Sequence, residues 1–183
     1  MTQNNLTLFL YFWNAIAIMV FFTLFFKRAP YGRYEQGNKS LKIPANVSWC
    51  LMELPSVITF LLIFLMAKPS AYTWVFFAMW QLHYVYRSLI YPFRLKNAKQ
   101  VPIFITISAT FFTTVNGFVN AYWLTHFQEI TFSTLQTQHF IVGLILFVSG
   151  FVINVNSDNI LFAINKNKKP GVYKIPYGGM FRF

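Results

Sequence analysis

VSWCLMELPSVITFLLIFLM, residues 47–66, decides the fold. These twenty residues carry one charged side chain, Glu53. As a helix rising about 1.5 Å per residue they span about 30 Å, the thickness of a bilayer's hydrocarbon core. Four further apolar runs of similar length lie around it, at about 6–26, 71–91, 101–124 and 139–164. Backbone N–H and C=O groups in lipid must be satisfied within their own segment. All five runs therefore predict helices, despite their many β-branched and aromatic residues. The fold class is all-α integral membrane, with one transmembrane domain over residues 1–183.

Composition agrees. Of 183 residues, 56% are hydrophobic and 10% charged, where a soluble domain has about 25% charged residues. Aromatics make up 21%, with 23 Phe, which points to a lipid-facing or lipid-binding chain. The net charge of +11 raises nucleic acid as a partner. However, the basic residues cluster in short segments between apolar runs and form no helical stripe with aromatic partners, so nucleic acid is set aside. The single cysteine, Cys50, excludes an internal disulfide. His83, His126 and His139 lack metal-ligand spacing, so no metal is expected. No basic region precedes the first run, which reads as a retained anchor rather than a cleaved signal.

Loop charge sets the topology. Residues 1–5 carry no Lys or Arg; the first loop carries Lys27, Arg28, Arg33, Lys39 and Lys42. The second loop has only Lys68, the third has Arg94, Lys96 and Lys99, and the fourth, 125–138, has none. The tail has Lys166, Lys168, Lys169, Lys174 and Arg182. Rich and poor segments alternate, which supports five crossings. The positive-inside rule then puts the N-terminus outside or lumenal, and the first loop, third loop and tail in the cytoplasm. A bacterial inner membrane and the endoplasmic reticulum both fit.

A few polar residues are not explained by spanning a membrane. Glu35 and Glu129 fall in loops, but Glu53 lies about six residues inside the second helix, just before Pro55. An ionisable group at that depth is costly and is a functional candidate by default. It can instead pair with a basic side chain and hold helices together. Kept protonated, it could donate a hydrogen bond. On the third helix Gln81, Tyr84 and Arg87 share a face by their spacing. Glu53 and Tyr84 lie at matching depth and can meet across a helix pair; Tyr84 can also be an interfacial belt residue. At the end of the fifth helix Asn154 and Asp158 are four apart, within Asn154-Val155-Asn156-Ser157-Asp158-Asn159. Ordinary helix termination is the plainer reading of that stretch. The basic, Gly-rich segment after it suits either a phosphate-bearing ligand or anionic lipid.

The residues then match a known family. The landmarks are Tyr31-Gly32-Arg33-Tyr34, Trp49-Cys50-Leu51-Met52-Glu53-Leu54-Pro55-Ser56 and His83-Tyr84-Val85-Tyr86-Arg87. They continue with Asn116-Gly117 and Tyr122, the Asn154 to Asp158 stretch, and Tyr173-Lys174-Ile175-Pro176-Tyr177-Gly178-Gly179-Met180-Phe181. In this order the chain resembles the steroid 5-alpha-reductases, membrane enzymes that reduce the 4,5 double bond of 3-oxo-4-ene steroids with NADPH. The resemblance implies a seven-helix bundle, of which five helices are present here, with the cofactor entering from the cytoplasm. It implies that Glu53 and Tyr84 hold the substrate's 3-oxo group and that Trp49 and Phe112 line the pocket. Asn154, Asp158 and Tyr173, with Lys99, would bind the cofactor.

Two departures stand out. Asn165 occupies a position where many relatives carry Arg, and Lys166 would replace it only as a point charge. Relatives continue past Gly-Gly-x-Phe into two more helices. The C-terminus is therefore expected to be incomplete, and full activity is not expected if the molecule ends at Phe183. Competing readings are a reductase of another lipid enone, enoyl-thioester or polyprenol, and a non-enzymatic lipid-binding membrane protein. A membrane methyltransferase would carry its cofactor motifs beyond Phe183. The Glu-Leu-Pro motif favours steroid over the other enones, and the polar end of the fifth helix argues for a cofactor.

Overall fold

The structure, a computed structural model, describes residues 1–27, 41–96, 98–166 and 174–183. The Tyr31-Gly32-Arg33-Tyr34 landmark, Glu35 and the predicted cofactor residue Tyr173 lie outside the described residues. The long helices are α1 (Gln3–Phe26), α2 (Ala45–Ala67), α5 (Ile103–His126) and α7 (Gln138–Lys166). Among the described residues these four are long and apolar enough to cross a membrane.

The third apolar run differs from its expectation. It is helical from 71 to 94, but in four pieces: a 3-10 turn (Ala71–Thr73), α3 (Trp74–Val85), a π-helical segment (Tyr86–Ile90) and α4 (Tyr91–Arg94). Pro92 offers no N–H to the carbonyl four residues before it. Just ahead of it, the Tyr91 N–H reaches back to the Tyr86 carbonyl, one residue further than in an α-helix. A short helix, α6 (Phe132–Leu135), precedes α7. The fourth run also starts later than its apolar residues do, because Val101 and Pro102 form a strand. This strand, β2 (Val101–Pro102), pairs antiparallel with β1 (Lys42–Ile43), Lys42 facing Pro102 and Ile43 facing Val101.

These contacts sort the segments by end. The β pair joins the starts of α2 and α5, and Arg94 donates to Asn159 Oδ1 of α7 at 2.6 Å at the same end. At the opposite end Ser70 Oγ donates to the Ile130 carbonyl at 2.9 Å, and the N-terminal amine donates to the Tyr122 hydroxyl at 2.8 Å. The first and third inter-helix segments thus share one end, and the second and fourth share the other.

The centre of the fold is the α2–α5 pair. Small residues let two helices approach in lipid, where packing rather than water drives association. Ser48 and Ser56 of α2 are fully buried, and a Cβ at Gly117 would stand 3.1 Å from the Ser56 carbonyl oxygen. Ser48 and Thr106 share a hydroxyl–hydroxyl bond of 2.7 Å across the pair. Further along, Phe60 and Phe64 pack with Ala121, Phe77 and Trp80. Pro55 lies inside α2 and cannot donate to Leu51, so the Thr110 hydroxyl of α5 donates to the Leu51 carbonyl at 2.9 Å. The Thr113 hydroxyl donates to the neighbouring Met52 carbonyl. The Thr110 hydroxyl on a second helix thereby satisfies the one carbonyl that proline leaves open, close to Glu53.

Candidate functional site

Glu53 projects from this pinned turn of α2 toward the π-helical segment. Its Oε1 lies 3.7 Å from Arg87 Nη2, with both side chains 16% exposed. Nη1 of the same guanidinium lies 4.0 Å from Asp158 Oδ2 of α7. The guanidinium carbon stands 4.5 Å from the ring centroids of both Trp49 and Tyr91, close enough for cation–π attraction to each. Tyr86, one residue earlier, donates its hydroxyl to Asp158 Oδ2 at 3.2 Å. A π turn is a common device at functional sites, and here successive residues 86 and 87 both reach Asp158.

Tyr84 sits one turn earlier with a different partner. Asn120 Nδ2 donates to Asn116 Oδ1 at 3.0 Å, which fixes the Asn116 amide so that its Nδ2 donates to the Tyr84 hydroxyl at 2.9 Å. The Tyr84 oxygen accepts in this bond, and with the Ser56 hydroxyl as its other near neighbour it can give its proton to Ser56 or to a ligand. Two further donors tie this helix to α2: Trp80 Nε1 to the Ser56 carbonyl at 3.3 Å and Gln81 Nε2 to the Val57 carbonyl at 3.2 Å. Tyr84 also lines a cavity of about 400 Å³, walled by Phe60, Trp80, Trp123, Leu124 and Phe147. That volume lies in the usual range for small-molecule pockets, about 300–1,000 Å³.

The residues expected from sequence divide into groups. Glu53, Trp49 and Asp158 gather around Arg87, and Tyr84 faces the cavity. Asn154 lies one turn before Asp158 on α7, and its Oδ1 is buried with no hydrogen-bond partner. The tail turns back onto this helix: a Cβ at Gly179 (φ +53°) would stand 2.8 Å from Asn156 Oδ1. Phe112 lies apart, 52% exposed and stacked on Trp13 of α1 at 6.2 Å. Lys99 is exposed in the segment before β2. Among the described residues, no three His, Cys, Asp or Glu side chains are grouped to hold a metal ion.

Sequence reasoning missed two parts of the arrangement. The Asn116–Asn120 pair shows in the sequence as two amides four apart in an apolar helix. Arg87 was expected only as a face-sharing neighbour of Tyr84, whereas it joins three helical segments. An arginine deep in an apolar run is a signal of its own.

The family described as 3-oxo-5-alpha-steroid 4-dehydrogenase matches residues 99–183, which include α5, α7 and the tail. The 3-oxo-5-alpha-steroid 4-dehydrogenase 1 of Bos taurus is 31% identical over 175 residues, covering 92% of this chain and 68% of the bovine protein. The protein of the same name from Homo sapiens is 33% identical over 157 residues, covering 84% of this chain and 60% of its own length. The steroid 5-alpha-reductase DET2 of Gossypium hirsutum is 31% identical over 175 residues, 91% of this chain and 67% of that protein. The chain therefore spans 60% to 68% of the length of these three relatives. With about 30% identity sustained over most of its length, the chain belongs to the 3-oxo-5-alpha-steroid 4-dehydrogenase, or steroid 5-alpha-reductase, family.

Proposed function

We propose that this chain carries the substrate-binding part of an NADPH-dependent oxidoreductase acting on a CH–CH bond, reducing the 4,5 double bond of 3-oxo-4-ene steroids. The observation that carries the reading is Tyr84. Its hydroxyl accepts from Asn116 and can still donate, and it lines an aromatic cavity one turn from the Arg87–Glu53 pair. Such a cavity suits a flat apolar ligand with one polar end.

The fit to NADPH rests on α7 and the tail. The unpartnered buried oxygen of Asn154 and the close seat of Gly179 beside Asn156 suit a polar ligand at this end. Asn154 and Asp158 would hold it, with Tyr173 and Lys99 contributing from the flanking segments. When bound, NADPH supplies the hydride. This chain's residues act on the substrate's other end. As the enone β-carbon is reduced, negative charge builds on the 3-oxo oxygen, and donors aimed at that oxygen stabilise the enolate. One such donor is worth about 3–4 kcal/mol. Tyr84 supplies one, and a protonated Glu53 supplies the second. Trp49, beside Arg87, would flank the steroid's polar end. Protonation at the α-carbon completes the reduction.

Glu53→Gln and Tyr84→Phe test this. Each should lower kcat/KM for a 3-oxo-4-ene steroid and leave NADPH affinity near native, with the double variant losing less than the sum because both groups serve one oxygen. Normal turnover in Glu53→Gln removes Glu53 from the reaction. The membrane arrangement belongs to the same reading: five of seven helices, N-terminus outside or lumenal, and the Arg94–Asn159 end in the cytoplasm. Cysteines introduced at Gln128 and Gly37 should label from opposite sides of the membrane, and labelling from one side would overturn that arrangement.

A further inference from the structure

Arg87 belongs to neither the carbonyl-binding pair nor the cofactor-binding residues, yet it lies between them. Guanidinium–carboxylate hydrogen bonds close at about 2.7–2.9 Å. At 3.7 Å from Glu53 and 4.0 Å from Asp158, Arg87 has closed on neither. The rings of Trp49 and Tyr91, each 4.5 Å away, hold the cation in the middle. A shift of about 1 Å to either side would turn one contact into a charge-assisted hydrogen bond and open the other. Other charged or titratable groups face this cluster: Tyr84 beside Glu53, Tyr86 and Arg94 toward Asp158, and His83 and Tyr91 toward Arg87.

We propose that Arg87 is a cation disputed between two carboxyl groups, and that Asp158, by holding it, leaves Glu53 free to carry the proton it donates to a carbonyl oxygen. While Asp158 is ionised it holds half of the cation's attention. Once Asp158 loses its charge, the guanidinium closes on Glu53 and holds it as a carboxylate, which has no proton to donate to the ligand's oxygen. Arg87 is then a positioning residue, and two carboxylates on different helices are energetically coupled through it. The identity of the ligand rests on the functional reading above; the coupling itself does not.

The test uses the full chain in lipid nanodiscs. Asp158→Asn, Glu53→Gln and the double variant are made with Arg87 present and again with Arg87→Met. Thermal unfolding is measured first, without ligand. With Arg87 present, each single change leaves the cation one carboxylate and lowers Tm modestly. The double change strands a buried cation and should lower Tm by clearly more than the sum. With Arg87→Met the two changes should simply add. Additivity in both backgrounds overturns the proposal.

Equilibrium binding of testosterone, a 3-oxo-4-ene steroid, is measured next. Asp158→Asn should weaken it about 5-fold or more with Arg87 present, and under about 2-fold with Arg87→Met. Equal weakening in both backgrounds gives Asp158 a role independent of Arg87 and overturns the proposal. If the native chain binds no testosterone, the functional reading fails and the ligand-free cycle alone decides the counter-ion role. Should Arg87→Met fail to accumulate, Arg87→Lys replaces it. A lysine lacks the planar fork that faces two carboxylates at once, so the excess loss in the double variant should shrink; an unchanged excess overturns the proposal.

Discussion

Helices α5 and α7 are both long and apolar, yet they are attached in opposite ways. Helix α5 buries Thr106, Thr113, Gly117 and Ala121, a stripe along its length against α2. Helix α7, with 29 residues, buries only Asp158. One helix is held by shape over many turns. The other is held mainly near one end, by Asp158 with Tyr86 and Arg87 and by Asn159 with Arg94, with ring contacts such as Phe140 to Phe76 further along. Hydropathy alone rates α7 the more apolar of the two. What separates them is the run of small residues in α5 that permits close approach.

Gly117→Leu should produce the largest break in this contrast. Its Cβ alone would meet the Ser56 carbonyl at 3.1 Å and Thr59 Cβ at 3.3 Å, and the rest of the side chain would force α5 from α2. A loss of about 3 kcal/mol is expected, read as a shifted unfolding midpoint in mixed micelles. A native midpoint would show that the pair is not sterically locked.

Thr110→Val comes next. It leaves the Leu51 carbonyl, already deprived of its helical donor by Pro55, without the hydroxyl that satisfies it. The cost should be about 1–3 kcal/mol, measured the same way. A change well below that would mean that another donor takes over.

Gly150→Ala on α7 should have the smallest effect. A Cβ there meets nothing within 4 Å. Helix propensity alone should leave stability unchanged or raise it by up to about 1 kcal/mol. A marked loss would reveal a partner packed on this face of α7 and would narrow the difference between the two helices.

Much of this was legible in the sequence. The apolar runs gave the long helices to within a few residues, because lipid leaves the backbone little choice. The β1–β2 pair and the Ser70–Ile130 bond bring the first loop to the third and the second to the fourth. The π segment was not legible, since Pro92 announces a break in the helix but not the register the chain takes just before it. Glu53 stood out by its cost, but its approach to Arg87 depends on how three helical segments pack, and no spacing rule encodes that. Phe112 fails to join the others because facing a neighbour is a property of the whole bundle, and here its neighbour is Trp13.

The proline in α2 also has a consequence for biogenesis. A ribosome delivers α2 to the membrane well before α5, since Thr110 follows Leu51 by 59 residues. At about 5–20 residues per second, that separation lasts roughly 3–12 s. Through that interval α2 must wait in lipid or beside the insertion machinery with one carbonyl unanswered. Its final shape is completed by a helix not yet synthesised, so α2 and α5 mature as a pair whatever the order of their arrival.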